Sequence, residues 1–175
     1  FSTIHQTFGG NFYGMVVGSA ACNPEQIRFF EKIGLRIQEG YGMTECPVIT
    51  VNTDTYRRIG SVGNVHDAIN IDIKLVDEEI WIKGPGVMPG YYNDDENNRE
   101  YYSDGWFKTG DIGHLDSNGQ LQITGRKKGI LVTAGGKNVS PEALEDPLST
   151  HPLIGHVVVV GDAKPYISAL ITLDP

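Results

Sequence analysis

The run from Tyr13 to Gln38 restricts the fold more than any other part of the chain. Residues 13–20, Tyr-Gly-Met-Val-Val-Gly-Ser-Ala, read as a short buried strand entering a small-residue loop, Gly18-Ser19-Ala20-Ala21. A helix start follows. Asn23 is a capping residue, Pro24 suits the first helical position, and Gln26 stands where a capping box takes Glu or Gln. Ile27, Phe30 and Ile33 keep helical spacing, and Gly34 supplies the stop. A second strand, Leu35 to Gln38, completes a strand–helix–strand unit. That pattern belongs to parallel α/β folds, whose ligands collect at the carboxyl ends of strands. The small-residue loop and the stretch beginning at Gln38 both fall at such ends.

That stretch is Gln38-Glu39-Gly40-Tyr41-Gly42-Met43-Thr44-Glu45. Two glycines without Cβ atoms allow a sharp turn and a close ligand approach. Tyr41 would offer a flat face to a planar base. Thr44 and Glu45 would offer oxygens to phosphates and to magnesium, a cation that prefers oxygen ligands. The same residues also suit a plain tight turn with Tyr41 in the core, and the motif alone does not choose between the two.

From Val48 to Lys83 the apolar period becomes two. Ile69, Ile71, Ile73 and Leu75 alternate with polar residues, and Glu79-Ile80-Trp81-Ile82-Lys83 repeats the pattern after an acidic turn at Asp77-Glu78. These predict antiparallel strands of a second sheet or barrel. Gly84 to Gly90 is a Gly/Pro-rich loop, and residues 93–102 predict a short surface helix. Trp106-Phe107-Lys108-Thr109-Gly110-Asp111 leads into a hairpin. Its strands are Ile112–Leu115 and Leu121–Thr124, and its turn is Asp116-Ser117-Asn118-Gly119. Gly125-Arg126-Lys127-Lys128-Gly129 then interrupts the strand pattern and marks a boundary between residues 1–125 and 126–175. Beyond it a strand (130–133), a loop at Ala134-Gly135-Gly136-Lys137, a helix starting at Ser140-Pro141-Glu142 and closed by His151-Pro152, and a last hairpin predict the start of a small α+β domain. The fold class is mixed α/β and α+β.

A net charge of −8 and a pI near 5.0 argue against a nucleic-acid partner. The hydrophobic fraction, 39%, is that of a globular chain, and no apolar run reaches the ~18 residues of a membrane span. Without a secretory signal or a dense cysteine framework, Cys22 and Cys46 read as reduced thiols of a cytoplasmic protein. The histidines show no metal-ligand spacing. A chain that opens on Phe1 and stops after an apolar run at Asp174-Pro175 reads as part of a longer protein.

Asp111, just after Thr109-Gly110, could accept bonds from the two hydroxyls of a ribose, or could be an ordinary turn aspartate. Arg126, Lys127, Lys128 and Lys137 form a basic patch on an acidic chain, suited to an anionic ligand. For Lys127 a solvated linker charge is the better reading. Gly135-Gly136 would let a thin ligand arm pass beside Lys137, or form a plain turn. No nucleophile elbow, Walker loop or Gly-x-Gly-x-x-Gly fingerprint is present.

Taken together, Gly40-Tyr41-Gly42-Met43-Thr44-Glu45, Trp106-Phe107-Lys108-Thr109-Gly110-Asp111 and Gly125-Arg126-Lys127-Lys128 resemble three successive core motifs of the adenylate-forming superfamily. That superfamily comprises acyl-CoA synthetases, peptide-synthetase adenylation domains and luciferases. Thr133 to Pro141 with Leu144-Glu145, and Val160-Gly161-Asp162 with Tyr166 to Leu170, are most similar to long-chain fatty acid–CoA ligases. The resemblance spans essentially the whole chain. It implies the end of the large nucleotide-binding domain followed by an incomplete small domain. It further implies that Tyr41 stacks on adenine, with Gly18, Ser19 and Ala20 on the other side and Gly42 and Met43 alongside. Thr44 would contact phosphates and Glu45 would help hold Mg2+. Asp111 would bind the ribose, with Ile123 and Arg126 facing it. Lys128 would be the hinge between two half-reactions, formation of acyl-AMP from ATP and transfer of the acyl group to CoA. Gly135, Gly136 and Lys137 would lie along the pantetheine path.

The family's phosphate loop and its C-terminal lysine are not in this sequence, so the isolated residues are expected to be inactive. The implied partners are fatty acid, ATP and CoA, with no nucleic acid. An enzyme of fatty acids is compatible with peripheral contact to a membrane, though no stretch shows an anchor. Two alternatives are an adenylation module that loads a carrier protein and a non-catalytic nucleotide-binding scaffold. Retention of Thr44, Glu45, Asp111 and Arg126 together speaks against the scaffold.

Overall fold

The computed structural model describes residues 2–20, 22–55, 57–65 and 69–174. Ala21, the last residue of the predicted small-residue loop, lies outside them. After a short helix α1 (Ser2–Thr7), strand β1 (Met15–Val17), helix α2 (Pro24–Lys32) and strand β2 (Ile37–Met43) form the expected unit, with β1 and β2 parallel. The Asn23 carboxamide caps α2 by accepting a 2.7 Å bond from the Glu25 N–H, and Gly34 leaves the helix with φ at 81°. Ile27 anchors the inner face of α2 and is fully buried.

The Gly-Tyr-Gly stretch is not a turn. Strand β2 continues through it, first alongside β1 and then antiparallel to β3 (Cys46–Val51), and the chain reverses at Thr44-Glu45. Neither Gly40 nor Gly42 takes a positive φ. Their small size serves strand approach instead: a Cβ on Gly42 would stand 2.0 Å from the Pro47 carbonyl oxygen, beside the register shift between Tyr41 and Met43. Gly42→Ala must therefore displace backbone. It is expected to destabilise the fold by about 2–3 kcal/mol, at the upper end of overpacking costs. A denaturant midpoint equal to wild type would refute this account of Gly42.

The second sheet contains β4 (Asp72–Val76), β5 (Glu79–Lys83), β6 (Tyr102–Ser103), β7 (Trp106–Leu115) and β8 (Leu121–Arg126), with helix α3 (Asp95–Tyr101) leading into β6. All pairings are antiparallel, and β7 is central, meeting β5, β6 and β8. Asp77 and Glu78 take φ of 50° and 65°, the left-handed pair that a two-residue hairpin requires. Ile80 and Ile82 point into the core, while Trp81 on the other face carries the Lys74 and Lys108 ammoniums at 4.8 and 5.4 Å from its ring. Two expected boundaries move. The residues from Trp106 to Asp111 are part of β7 itself, and β8 runs on through Gly125 to Arg126, which pairs with Asp111. The strand pattern breaks only at a single 3₁₀ turn, Lys127–Gly129.

One apolar cluster joins the two sheets: Tyr41, Cys46 and Ile49 from the first pack with Ile71, Ile80, Ile82, Phe107 and Leu121. This shared core is what brings the 40–45 and 106–111 segments together. Farther along lie β9 (Leu131–Val132), β10 (Asn138–Val139), α4 (Glu142–Ser149), β11 (Ile154–Val160) and β12 (Ser168–Leu173), two antiparallel pairs with a helix between them. The short β10 was not expected. Ser140 does not cap α4; its hydroxyl donates to the Glu142 carboxylate at 3.1 Å.

Candidate functional site

A cavity of about 970 Å³ opens where the ends of β1, β2, β7 and β8 meet the loop carrying Tyr91. Gly18, Ser19, Gly40, Tyr41, Gly42, Met43, Thr44 and Glu45 line one part of it; Lys108, Thr109, Gly110, Arg126, Lys127 and Lys128 line another. Three segments far apart in sequence thus converge on one space. Ala20 is exposed outside the wall, and so is Ile123. Gly135, Gly136 and Lys137 form an exposed turn after β9 that does not reach the cavity.

Asp111 sits behind this wall, only 4% exposed. Its Oδ2 accepts a 2.5 Å bond from the Tyr41 hydroxyl, and its Oδ1 lies 3.1 Å from Arg126 Nε. Tyr41 sits in strand β2, not on a turn; its ring belongs to the core cluster and also borders the cavity. Burial, followed by the adjacent Asp111 charge, pushes the phenol well above its ordinary pKa, so it stays a hydrogen-bond donor. A carboxylate has about four acceptor positions, so these two contacts do not exhaust those of Asp111, although it does not itself line the cavity.

Thr44 and Glu45 form the β2–β3 turn. The Thr44 hydroxyl is exposed and makes no side-chain hydrogen bond among the described residues. Glu45 Oε1 accepts a 2.8 Å bond from the Tyr91 hydroxyl, and among the described residues nothing bonds its Oε2. These are hard oxygen donors. Among the described residues no group of three or more acidic, His or Cys side chains could hold a metal by itself. A cation here would take one carboxylate and complete its shell with phosphates and water, which is how magnesium is commonly bound.

The basic segment is more organised than its sequence implies. Lys127 is exposed, as expected of a linker charge, but it is also ion-paired: its Nζ lies 2.9 Å from Glu79 Oε2, and the other oxygen of that buried carboxylate accepts the Gly110 N–H at 3.2 Å. Lys128 donates to the Tyr101 hydroxyl at 2.6 Å, which, with the nearby Glu100, raises its pKa. Glu79, Tyr91 and Tyr101 escaped the sequence reading because each acts through a partner 27 to 48 positions away. The available signal was a carboxylate, Glu79, at the head of the apolar run Ile80-Trp81-Ile82.

Residues 4–92 match the family of AMP-binding enzymes, and residues 128–175 match the AMP-binding enzyme C-terminal domain. The chain belongs to the AMP-binding enzyme family. It is 44% identical over 176 aligned residues to the long-chain-fatty-acid–CoA ligase FadD15 of Mycobacterium tuberculosis, covering 100% of this chain and 29% of that protein. It is 36% identical over 172 residues to the long-chain-fatty-acid–CoA ligase ACSBG1 of Rattus norvegicus, covering 93% of this chain and 23% of that one. The chain therefore spans less than a third of these relatives. Among solved structures, the o-succinylbenzoate–CoA synthetase of Bacillus subtilis with AMP superposes at a TM-score of 0.83 with 25% identity, over 99% of this chain and 40% of that one. The same enzyme with ATP and magnesium gives 0.82 with 27% identity, over 92% and 36%.

Proposed function

We propose that the protein carrying these residues is an AMP-forming long-chain fatty acid–CoA ligase. It would activate a fatty acid with ATP to acyl-AMP, releasing pyrophosphate, and then pass the acyl group to the thiol of CoA. The observation that carries this reading is the convergence of residues 40–45, 107–110 and 126–128 on one cavity, with Asp111 directly behind its wall. The fatty-acid–CoA ligase names of the relatives support the substrate class.

In this reading the Tyr41 ring receives the adenine, with Gly18 and Ser19 across from it. Asp111 binds the ribose hydroxyls through its unused lone pairs, and Arg126 swings from Asp111 toward the ligand. Thr44 donates to a phosphate oxygen. Glu45 offers its open oxygen to magnesium, which when bound would neutralise charge on the phosphates. Ala20 and Ile123 carry ligand roles by family resemblance alone. Lys128 is the hinge at the 125/126 domain boundary, and its bond to Tyr101 belongs to one of two orientations. The turn at Gly135-Gly136-Lys137 would approach the CoA arm in the other.

Among the described residues no helix is long and apolar enough to cross a membrane. A cytoplasmic location with peripheral membrane contact is part of the proposal, supported by the apolar substrate alone.

The deciding experiment measures AMP release by the full-length protein with ATP, magnesium and a panel of fatty acids, with and without CoA. Turnover requiring both a long-chain acid and free CoA is expected. Pyrophosphate exchange without CoA-dependent turnover would indicate a carrier-loading adenylation module, and no adenylation of any acid would indicate a scaffold. Glu45→Gln removes the charge that attracts the cation. Pyrophosphate release should fall at least tenfold, given about 1.5–3 kcal/mol for a charge-assisted contact. An unaltered rate would remove Glu45 from this role.

A further inference from the structure

We propose that Tyr91 is a positioning residue for the phosphate-bound cation: its hydroxyl fixes the Glu45 carboxylate so that a single oxygen faces the cavity. The inference rests on the magnesium role given to Glu45 above. Its own support is the chain of contacts that ends at that carboxylate.

Glu45 is the half-buried second residue of a two-residue turn, where an untethered side chain would sample several rotamers. It is instead held at both ends. Its backbone carbonyl accepts the Met88 N–H at 2.8 Å, and its Oε1 accepts the Tyr91 hydroxyl at 2.8 Å. Both holds come from one Gly/Pro-rich loop, and that loop is itself tied down. Asn98 of α3 clamps the Tyr91 backbone in two directions, accepting from its N–H at 2.7 Å and donating to its carbonyl at 2.9 Å. Gly90 makes this clamp possible, because a Cβ there would stand 2.9 Å from Asn98 Oδ1. The Tyr102 hydroxyl donates to the Met88 carbonyl at 2.5 Å, and the Tyr91 ring lies edge-on to Tyr101 with centroids 5.9 Å apart.

The direction of the Tyr91–Glu45 bond matters. A phenol can donate to a carboxylate without neutralising it, and in doing so it fixes the rotamer of Glu45 and favours Oε2, which carries no bond among the described residues, as the oxygen offered to a cation. One-point attachment suits a small cation that keeps most of its shell for phosphate and water. Groups that orient a metal-binding carboxylate commonly change metal affinity by 10–100-fold when lost. A purely structural tyrosine would not alter metal affinity at fixed nucleotide occupancy.

The test uses the full-length protein and Mn2+ as a spectroscopic substitute for magnesium. Binding of Mn2+ is followed by electron paramagnetic resonance with a non-hydrolysable ATP analogue at saturation, and affinity for the analogue is measured separately without metal. In Tyr91→Phe, which keeps the ring and its packing, Mn2+ affinity should fall on the order of tenfold while metal-free nucleotide affinity stays at wild type. The Mg2+ concentration for half-maximal pyrophosphate release should rise in parallel. Glu45→Gln separates the two levels of the argument. If Glu45→Gln weakens Mn2+ binding and Tyr91→Phe does not, the positioning role is wrong and the site reading stands. If Glu45→Gln itself leaves Mn2+ binding unchanged, both fall together. Equal losses of metal-dependent and metal-free nucleotide binding in Tyr91→Phe would also overturn the proposal, since they would mark a general loss of structure.

Discussion

Asp111→Ala is expected to weaken nucleotide binding by about 1.5–3 kcal/mol, the range for hydrogen bonds to a charged partner. That is roughly a 10- to 150-fold loss of affinity at 1.36 kcal/mol per decade. A second effect follows from the apo geometry. Tyr41 is 8% exposed and its hydroxyl has Asp111 as acceptor, so alanine leaves a buried donor unsatisfied. That costs about 1–3 kcal/mol of stability. The two effects separate in Asp111→Asn, which retains an acceptor for Tyr41 but loses the charge that attracts Arg126. Asparagine should recover much of the stability and little of the affinity. Calorimetric titration of both variants with ATP checks this. Wild-type nucleotide affinity in a destabilised Asp111→Ala would confine Asp111 to a structural role.

Local chemistry made part of this legible in the sequence. The cap at Asn23, the Pro24 start and the Gly34 stop are signals contained within a few residues, and the structure keeps all three. The same holds for Ile80 and Ile82 on one face of β5 and for the Asp77-Glu78 turn. The misreadings share a cause. Gly40 and Gly42 look like turn residues because glycine usually marks backbone freedom, yet here the missing Cβ admits the Pro47 carbonyl of the next strand. Nothing local distinguishes a glycine that bends from one that makes room. Lys127 is solvated, as its basic neighbours suggest, but its ion pair with Glu79 of β5 was not legible locally. Tyr91 sits in a Gly/Pro-rich loop without periodicity, so its bond to Glu45 exists only once the loop has folded over the β2–β3 turn. Many of the residues that line the cavity were legible as motifs; Glu79, Tyr91 and Tyr101, which line it and hold the others, were not, because tertiary contacts leave no short-range pattern.

Phe107→Ala should have the largest effect on the fold, and it will reach the cavity as well. Phe107 is 1% exposed near the start of β7 and is the largest of the fully buried side chains among the described residues. Its ring stacks on Tyr101 at 6.2 Å between centroids and meets Tyr102 edge-on at 5.2 Å. Truncation of such a residue costs about 3–5 kcal/mol through lost transfer energy and the void left behind. The void would open directly beneath the cavity, whose wall includes Phe107. It would also release the two tyrosines that the site depends on. Tyr101 receives the Lys128 ammonium, and Tyr102 holds the Met88 carbonyl of the loop that positions Glu45. A long protein need not unfold in one step, so a local measurement is the better probe. Amide hydrogen exchange at Ile80, Ile82 and Phe107 should accelerate by about a hundredfold or more, as 3 kcal/mol at 1.36 kcal/mol per decade requires. Phe107→Leu, which keeps most of the volume, should cost less than about 1.5 kcal/mol. Unchanged exchange in Phe107→Ala would mean that the two sheets do not share the core described here. The convergence of the three motifs would then need another cause.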